Sequence, residues 1–212
     1  GIAVGSPRHR SPAPLMATVP TPRVYLAGPD VFLPDASEVL AAKQAMCAEA
    51  GLQGVSPLDA EIGPLMDGSA EAARTIFAAN RDAMLSCGFA IANLTPFRGV
   101  SVDAGTAFEV GFMAASGATV FGYTNEPSAY HLRVAGHAPL NPAIAAHAGG
   151  GWNVENFGLV DNLMLPFGIA ESGGVLIEHA VADPHRLFHD LTAFGRCVER
   201  IAAAVSAGRR AD

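Results

Sequence analysis

Three short apolar runs constrain the fold of this chain most: Val24-Tyr25-Leu26-Ala27, Phe89-Ala90-Ile91-Ala92-Asn93-Leu94 and Thr119-Val120-Phe121-Gly122-Tyr123. Each is apolar at nearly every position rather than at alternate ones, the pattern of a strand covered on both faces. Stretches of helical composition separate them, and that alternation is the signature of βαβ units and a parallel sheet. Ala36 to Ala50 reads as a helix closed by Gly51, and Leu52 to Ser56 as a weak second strand. Ser69 can cap a helix to about Ser86, and Asp103 opens another to about Ser116. The expected class is α/β, an open, mostly parallel sheet with helices on both faces.

Half of the 212 residues are hydrophobic and 16% are charged, enough to build one sizeable core. Residues 1–22 hold five prolines and read as an irregular tail, with Met16 a candidate natural start; residues 23–212 are expected to form a single domain. Beyond Asn125 the pattern weakens, and Gly149-Gly150-Gly151 suggests a long loop with a functional or oligomeric role. Pro184 to Ala207 reads as a last helix with Leu187, Leu191, Phe194, Val198 and Ile201 on one side.

Thirteen Lys and Arg against twenty Asp and Glu leave a net charge of −7, so nothing attracts a nucleic-acid polymer or an anionic membrane. A small-molecule partner fits better. Three separated cysteines argue against a disulfide framework and make a reducing cytoplasm the default. The seven histidines show no metal-ligand spacing, so no metal is expected. Ala104 to Tyr123 is twenty residues long with one charge, Glu109, yet Ser116-Gly117 divides it into a helical and a β-rich part, which argues against a membrane span.

The same Glu109 is the first candidate for chemistry. It stands among Phe108, Val110, Phe112 and Met113, and a carboxylate taken out of water needs compensation. A helix acid that reaches solvent or a satisfied pair would also explain it. Asp103 is either a helix cap or, if it belongs to the preceding loop, a second acid facing the same cleft as Glu109 six positions on. Asp82, beside Arg81, reads equally as a solvated helix acid. Ligands of open parallel sheets bind outside the carboxyl ends of the strands, where the loops after Ala27, Ser56, Leu94 and Tyr123 open.

Taken together, Tyr25-Leu26-Ala27-Gly28-Pro29, Ser56-Pro57-Leu58-Asp59, Asn80-Arg81-Asp82, Asp103-Ala104-Gly105-Thr106-Ala107-Phe108-Glu109-Val110-Gly111 and Asp161-Asn162-Leu163-Met164 resemble the nucleoside 2-deoxyribosyltransferase family, in the family's order. The resemblance implies a flavodoxin-like domain with Glu109 as the nucleophile, Tyr25 as the tyrosine that orients it, and Asp82 and Asp103 as acids near base and sugar. It implies that Asn162 reaches a neighbouring subunit's site at the sugar 5′-hydroxyl, making the protein a homo-oligomer. Gly28, Pro29, Asp59 and Met164 fall at substrate-binding positions, and Glu61 where some members use a glutamine for the base. The implied partners are 2′-deoxyribonucleosides and free nucleobases in salvage, without a cofactor.

The chemistry agrees: a carboxylate can attack the anomeric carbon while an acid protonates the departing base, and two such displacements retain configuration. The nearest alternative is an N-glycoside hydrolase of nucleosides or their 5′-monophosphates. Against a phosphate stands Asp30, an acid in the loop after the first run that is expected to repel it. A non-catalytic nucleoside-binding module would not need Tyr25, Asp82, Asp103 and Glu109 together.

Overall fold

The apolar runs lie side by side in the middle of a five-stranded sheet. The structure, a computed structural model, describes residues 20–59, 68–137 and 153–208. Strands β1 (Arg23–Ala27), β2 (Gln53–Val55), β3 (Phe89–Asn93), β4 (Thr119–Thr124) and β5 (Leu176–Glu178) run in the order β2-β1-β3-β4-β5, and every pairing is parallel. Among the described residues there are six α-helices: α1 (Ala36–Glu49), α2 (Ala70–Leu85), α3 (Ala104–Ala115), α4 (Tyr130–Gly136), α5 (Met164–Glu171) and α6 (Thr192–Gly208).

Side chains alternate across the strands, so each contributes to two layers. Tyr25, Ala27, Ala90, Ala92 and Val120 join Val110, Met113, Leu165 and Ile169 in the layer of α2, α3 and α5. Val24, Leu26, Ile91, Phe121 and Tyr123 join Cys47, Phe194, Val198 and Ile201 in the layer of α1 and α6. This is a flavodoxin-like α/β fold with helices on both faces. Its strand order reverses between β1 and β3, the switch point outside whose carboxyl ends ligands of such open sheets bind.

Two helix starts follow directly from their capping residues. The Ser69 hydroxyl accepts from the N–H of Ala72 at 3.1 Å, and an Asp103 carboxylate oxygen accepts from that of Thr106 at 3.1 Å. The Ala104 to Tyr123 stretch is α3 followed by β4, and no helix among the described residues is long and apolar enough to cross a membrane.

Two expectations are corrected. The region after Asn125 contains α4, α5 and β5 as well as loop. The last helix begins at Thr192, eight residues later than expected, because Pro184–Arg186 forms a separate 3-10 turn. The Asn125 amide donates to the carbonyls of Leu187 at 2.7 Å and Asp190 at 2.9 Å, and the Asp190 carboxylate takes the N–H of Thr192 at 3.0 Å. Those bonds replace helical ones before α6. The glycines at 149–151, Glu61 and most of the tail at 1–22 lie outside the described residues.

Candidate active site

Helix α3 packs across β1 and β3, which brings Glu109 over Tyr25. Tyr25 has no solvent exposure, and its hydroxyl donates to Glu109 Oε1 at 2.8 Å. Glu109 itself is half-buried. Loss of water pushes its carboxyl pKa up to about 7, the Tyr25 hydrogen bond opposes that, and the nearby charge of Asp103 adds to it. Burial and the same carboxylate push the Tyr25 phenol upward too, so it remains a proton donor to Glu109.

Asp103 caps α3 with extended backbone, ψ 135°. Its Oδ2 takes both local bonds, from Thr106 N at 3.1 Å and Thr106 Oγ1 at 3.4 Å, so Oδ1 has no hydrogen-bond partner among the described residues. The cap and a second role are therefore compatible. Gly105 permits the arrangement, since a Cβ there would lie 2.9 Å from Asp103 Oδ2.

The raised Glu109 carboxyl gives a signed pH prediction. Its folded-state pKa exceeds the ordinary 4.5, so the stability it contributes is complete below about 4.5 and is lost as pH rises through about 7. Glu109→Gln should abolish that part of the pH dependence, as measured by urea denaturation across this window. A nucleophile needs the opposite form: kcat/KM should rise with pH through about 7, and Tyr25→Phe, which removes the opposing hydrogen bond, should move that limb upward. Coincident pH profiles for wild type and Tyr25→Phe would contradict the assignment.

The remaining expected residues lie in several places. Gly28 and Pro29 form the turn after β1, where a Cβ on Gly28 would come within 2.5 Å of Asp30 Oδ2 and 2.9 Å of Asn93 Cβ. Asp59 closes the turn after β2, accepting from Ser56 N at 2.7 Å and from the Gln44 amide at 3.0 Å. Asp82 is not joined to the Tyr25–Glu109 pair: its side chain is 67% exposed and lies 2.8 Å from Arg81. Asn162 donates from Nδ2 to Glu155 Oε1 at 2.6 Å and accepts the N–H of Met164 at 3.0 Å. Met164, at the start of α5, is 71% exposed. A surface groove at the β2 edge, lined by Thr21, Gln44, Ala48, Leu52, Gln53 and Gly54, contains none of these residues.

Residues 24–164 match the family described as nucleoside 2-deoxyribosyltransferase. The chain belongs to this family. The matched span includes Tyr25, Asp82, Asp103, Glu109, Asn162 and Met164. An uncharacterized protein of Schizosaccharomyces pombe is 33% identical over 180 residues, covering 78% of this chain and 85% of its own length. A solved 2-desoxiribosyltransferase from Leishmania mexicana is 28% identical with a TM-score of 0.52, and the similarity covers 84% of this chain and 97% of that one.

Within this family member one electrostatic expectation fails. Asp30 is only 2% exposed and pairs with the equally buried Lys43 at 2.7 Å, while Asn93 Nδ2 donates to its other oxygen at 3.3 Å. It therefore presents no uncompensated charge to a phosphate. Lys43 was detectable as the one lysine on the buried stripe Val39, Leu40, Lys43, Cys47 of α1. Asp161 and Arg133 show no sequence signal as organising residues, because the partners that matter, Ser101 and Val102 for the one and Val100 and Val160 for the other, lie far away in sequence. Glu155 binds Asn162 and Leu163 close by in sequence, but no periodicity or motif marks it.

Proposed function

We propose that the protein transfers 2-deoxyribose between nucleobases through a covalent deoxyribosyl-Glu109 intermediate. The observation that carries this reading is the 2.8 Å hydrogen bond from the buried Tyr25 hydroxyl to Glu109. It holds one carboxylate oxygen and leaves the other to attack C1′. The C1′–N bond then breaks, its electron pair leaves with the base, and Asp103 or Asp82 supplies the proton. A second base attacks C1′ from the vacated side, gives its N–H proton back to that acid and releases the carboxylate. Incubation with deoxyinosine or thymidine, with and without a second free base, tests this in one chromatogram. Appearance of the new nucleoside supports transfer, and deoxyribose with no new nucleoside refutes it.

The second reading is N-glycoside hydrolysis, including that of 5′-monophosphates. It gains from the burial of Asp30 against Lys43, which removes the repulsion that would exclude a phosphate.

Asp103→Asn and Asp82→Asn should each slow base release by about 10²–10⁴-fold, the loss of a general acid. Asp82 must first leave Arg81, and an exposed pair of that kind holds it by only about 0–1 kcal/mol. Wild-type rates in both variants would return them to the cap and solvated-acid readings.

The site should be shared between subunits, with Asn162 reaching a neighbour. Large apolar side chains left exposed on α2, α3 and α5, namely Phe77, Leu85, Phe108, Met164 and Phe167, support an interface on that layer. Sedimentation should show a homo-oligomer; a fully active monomer would contradict it.

A further inference from the structure

The chain entering Asp103 and the chain entering Asn162 are tied to one buried carboxylate. Asp161 is 2% exposed. Its Oδ1 accepts from the Ser101 hydroxyl and from the N–H of Asn162 at 2.8 Å. Its Oδ2 accepts from the N–H of Val102 at 2.9 Å and lies 3.8 Å from the Arg133 guanidinium. Arg133 in turn donates to the Val100 carbonyl at 2.8 Å and to the carbonyls of Ser128 and Val160. Val100, Ser101 and Val102, the three residues before Asp103, are thus each held by Asp161 or Arg133.

We propose that Asp161 is a positioning residue for cleavage of the glycosidic bond, holding Asp103 in register to protonate the departing base while fixing the backbone of Asn162. Simple packing does not need a carboxylate here. A buried charge is costly unless its lone pairs are met, and an apolar residue would fill the space more cheaply. What the carboxylate adds is acceptance from two distant segments at once, the N–H of Asn162 on Oδ1 and that of Val102 on Oδ2, with the Ser101 hydroxyl also on Oδ1. An amide could not do the same, because its NH2 would face one of those two backbone N–H groups and lose that bond. Misplacement of a reacting group by about 1 Å can cost on the order of 10²-fold, so a small slip of the 100–102 segment would be felt at Asp103.

The inference rests on the reading of Asp103 as an acid, and the leaving group tests both. Deoxyinosine needs a proton on its departing base, whereas a 7-methylated purine deoxynucleoside carries a cationic base that leaves neutral without one. Asp161→Asn is expected to lower kcat on deoxyinosine by roughly 10–10²-fold with KM little changed, and to alter turnover of the methylated substrate far less. Ser101→Ala, which removes one donor and leaves the carboxylate, should show the same dependence at smaller size, and it decides the matter if Asp161→Asn fails to fold. Equal slowing on both substrates would mark a merely structural residue and overturn the proposal, as would wild-type rates on both. Asp103→Asn is run in parallel. If it shows the leaving-group dependence and the Asp161 and Ser101 variants do not, the positioning role alone falls. If Asp103→Asn lacks it, the acid reading falls and the positioning role with it.

Discussion

Glu109→Ala is expected to fold and to lose transfer and hydrolysis together, by on the order of 10⁴-fold or more, as when a covalent nucleophile is deleted from a site whose members act as a unit. The stability expectation comes from two opposing effects. Truncation removes a desolvated carboxylate whose pKa has been driven up to about 7, which relieves the folded state at neutral pH. It also strands the buried Tyr25 hydroxyl, and an unsatisfied buried donor costs about 1–3 kcal/mol. The two are of similar size and opposite sign, so activity and not folding should register the change. A 2-fluoro-arabinosyl nucleoside supplies the direct test, because its fluorine slows the oxocarbenium-like second step and lets the glycosyl-enzyme accumulate. Intact-mass and peptide mass spectrometry should place the sugar on Glu109. An adduct on another residue, or unchanged turnover by Glu109→Ala, would mean that the nucleophile lies elsewhere.

The parts of this molecule that are legible in its sequence are those whose cause is local. β1, β3 and β4 stand out because both faces are buried and nearly every position is apolar. Ser69 and Asp103 mark helix starts because the capping side chain is itself the acceptor. β5 is three residues long and borrows its order from β4, so no periodicity could reveal it. α5 contains Pro166 and Gly168, both poor helix formers, and is held by the packing of Leu165 and Ile169 on the sheet. The apolar spacing of Leu187 and Leu191 continues into α6, yet Asn125, more than sixty positions away, takes the carbonyls that would begin the helix earlier. The site divides in the same way. Glu109 is conspicuous as a charge in an apolar helix, whereas the pairing of Asp30 with Lys43 and the links around Asp161 exist only once the chain has folded.

That buried pair carries the largest stability effect expected here. Lys43→Met should destabilise the protein by about 3–5 kcal/mol, the cost of leaving a buried charge without its partner. Both side chains are nearly inaccessible and 2.7 Å apart, so the exposed-pair value of about 0–1 kcal/mol does not apply. Methionine approximates the lysine stem, and the rings of Tyr123 and Phe194, with centroids 5.5 and 5.3 Å from Nζ, offer it an apolar seat. Loss of packing should therefore be small, and the deficit should come from Asp30. One consequence separates this from a packing defect. The double variant Asp30→Asn, Lys43→Met should recover much of the stability, because no charge is then stranded. The measurement is chemical denaturation of the single and double variants. A Lys43→Met protein as stable as wild type, or a double variant no better than the single, would show that the pair is not what secures the turn after β1. If the expectation holds, Asp30 is a structural anchor beneath the crevice, and selectivity between nucleosides and their 5′-phosphates must be set by other residues of the rim.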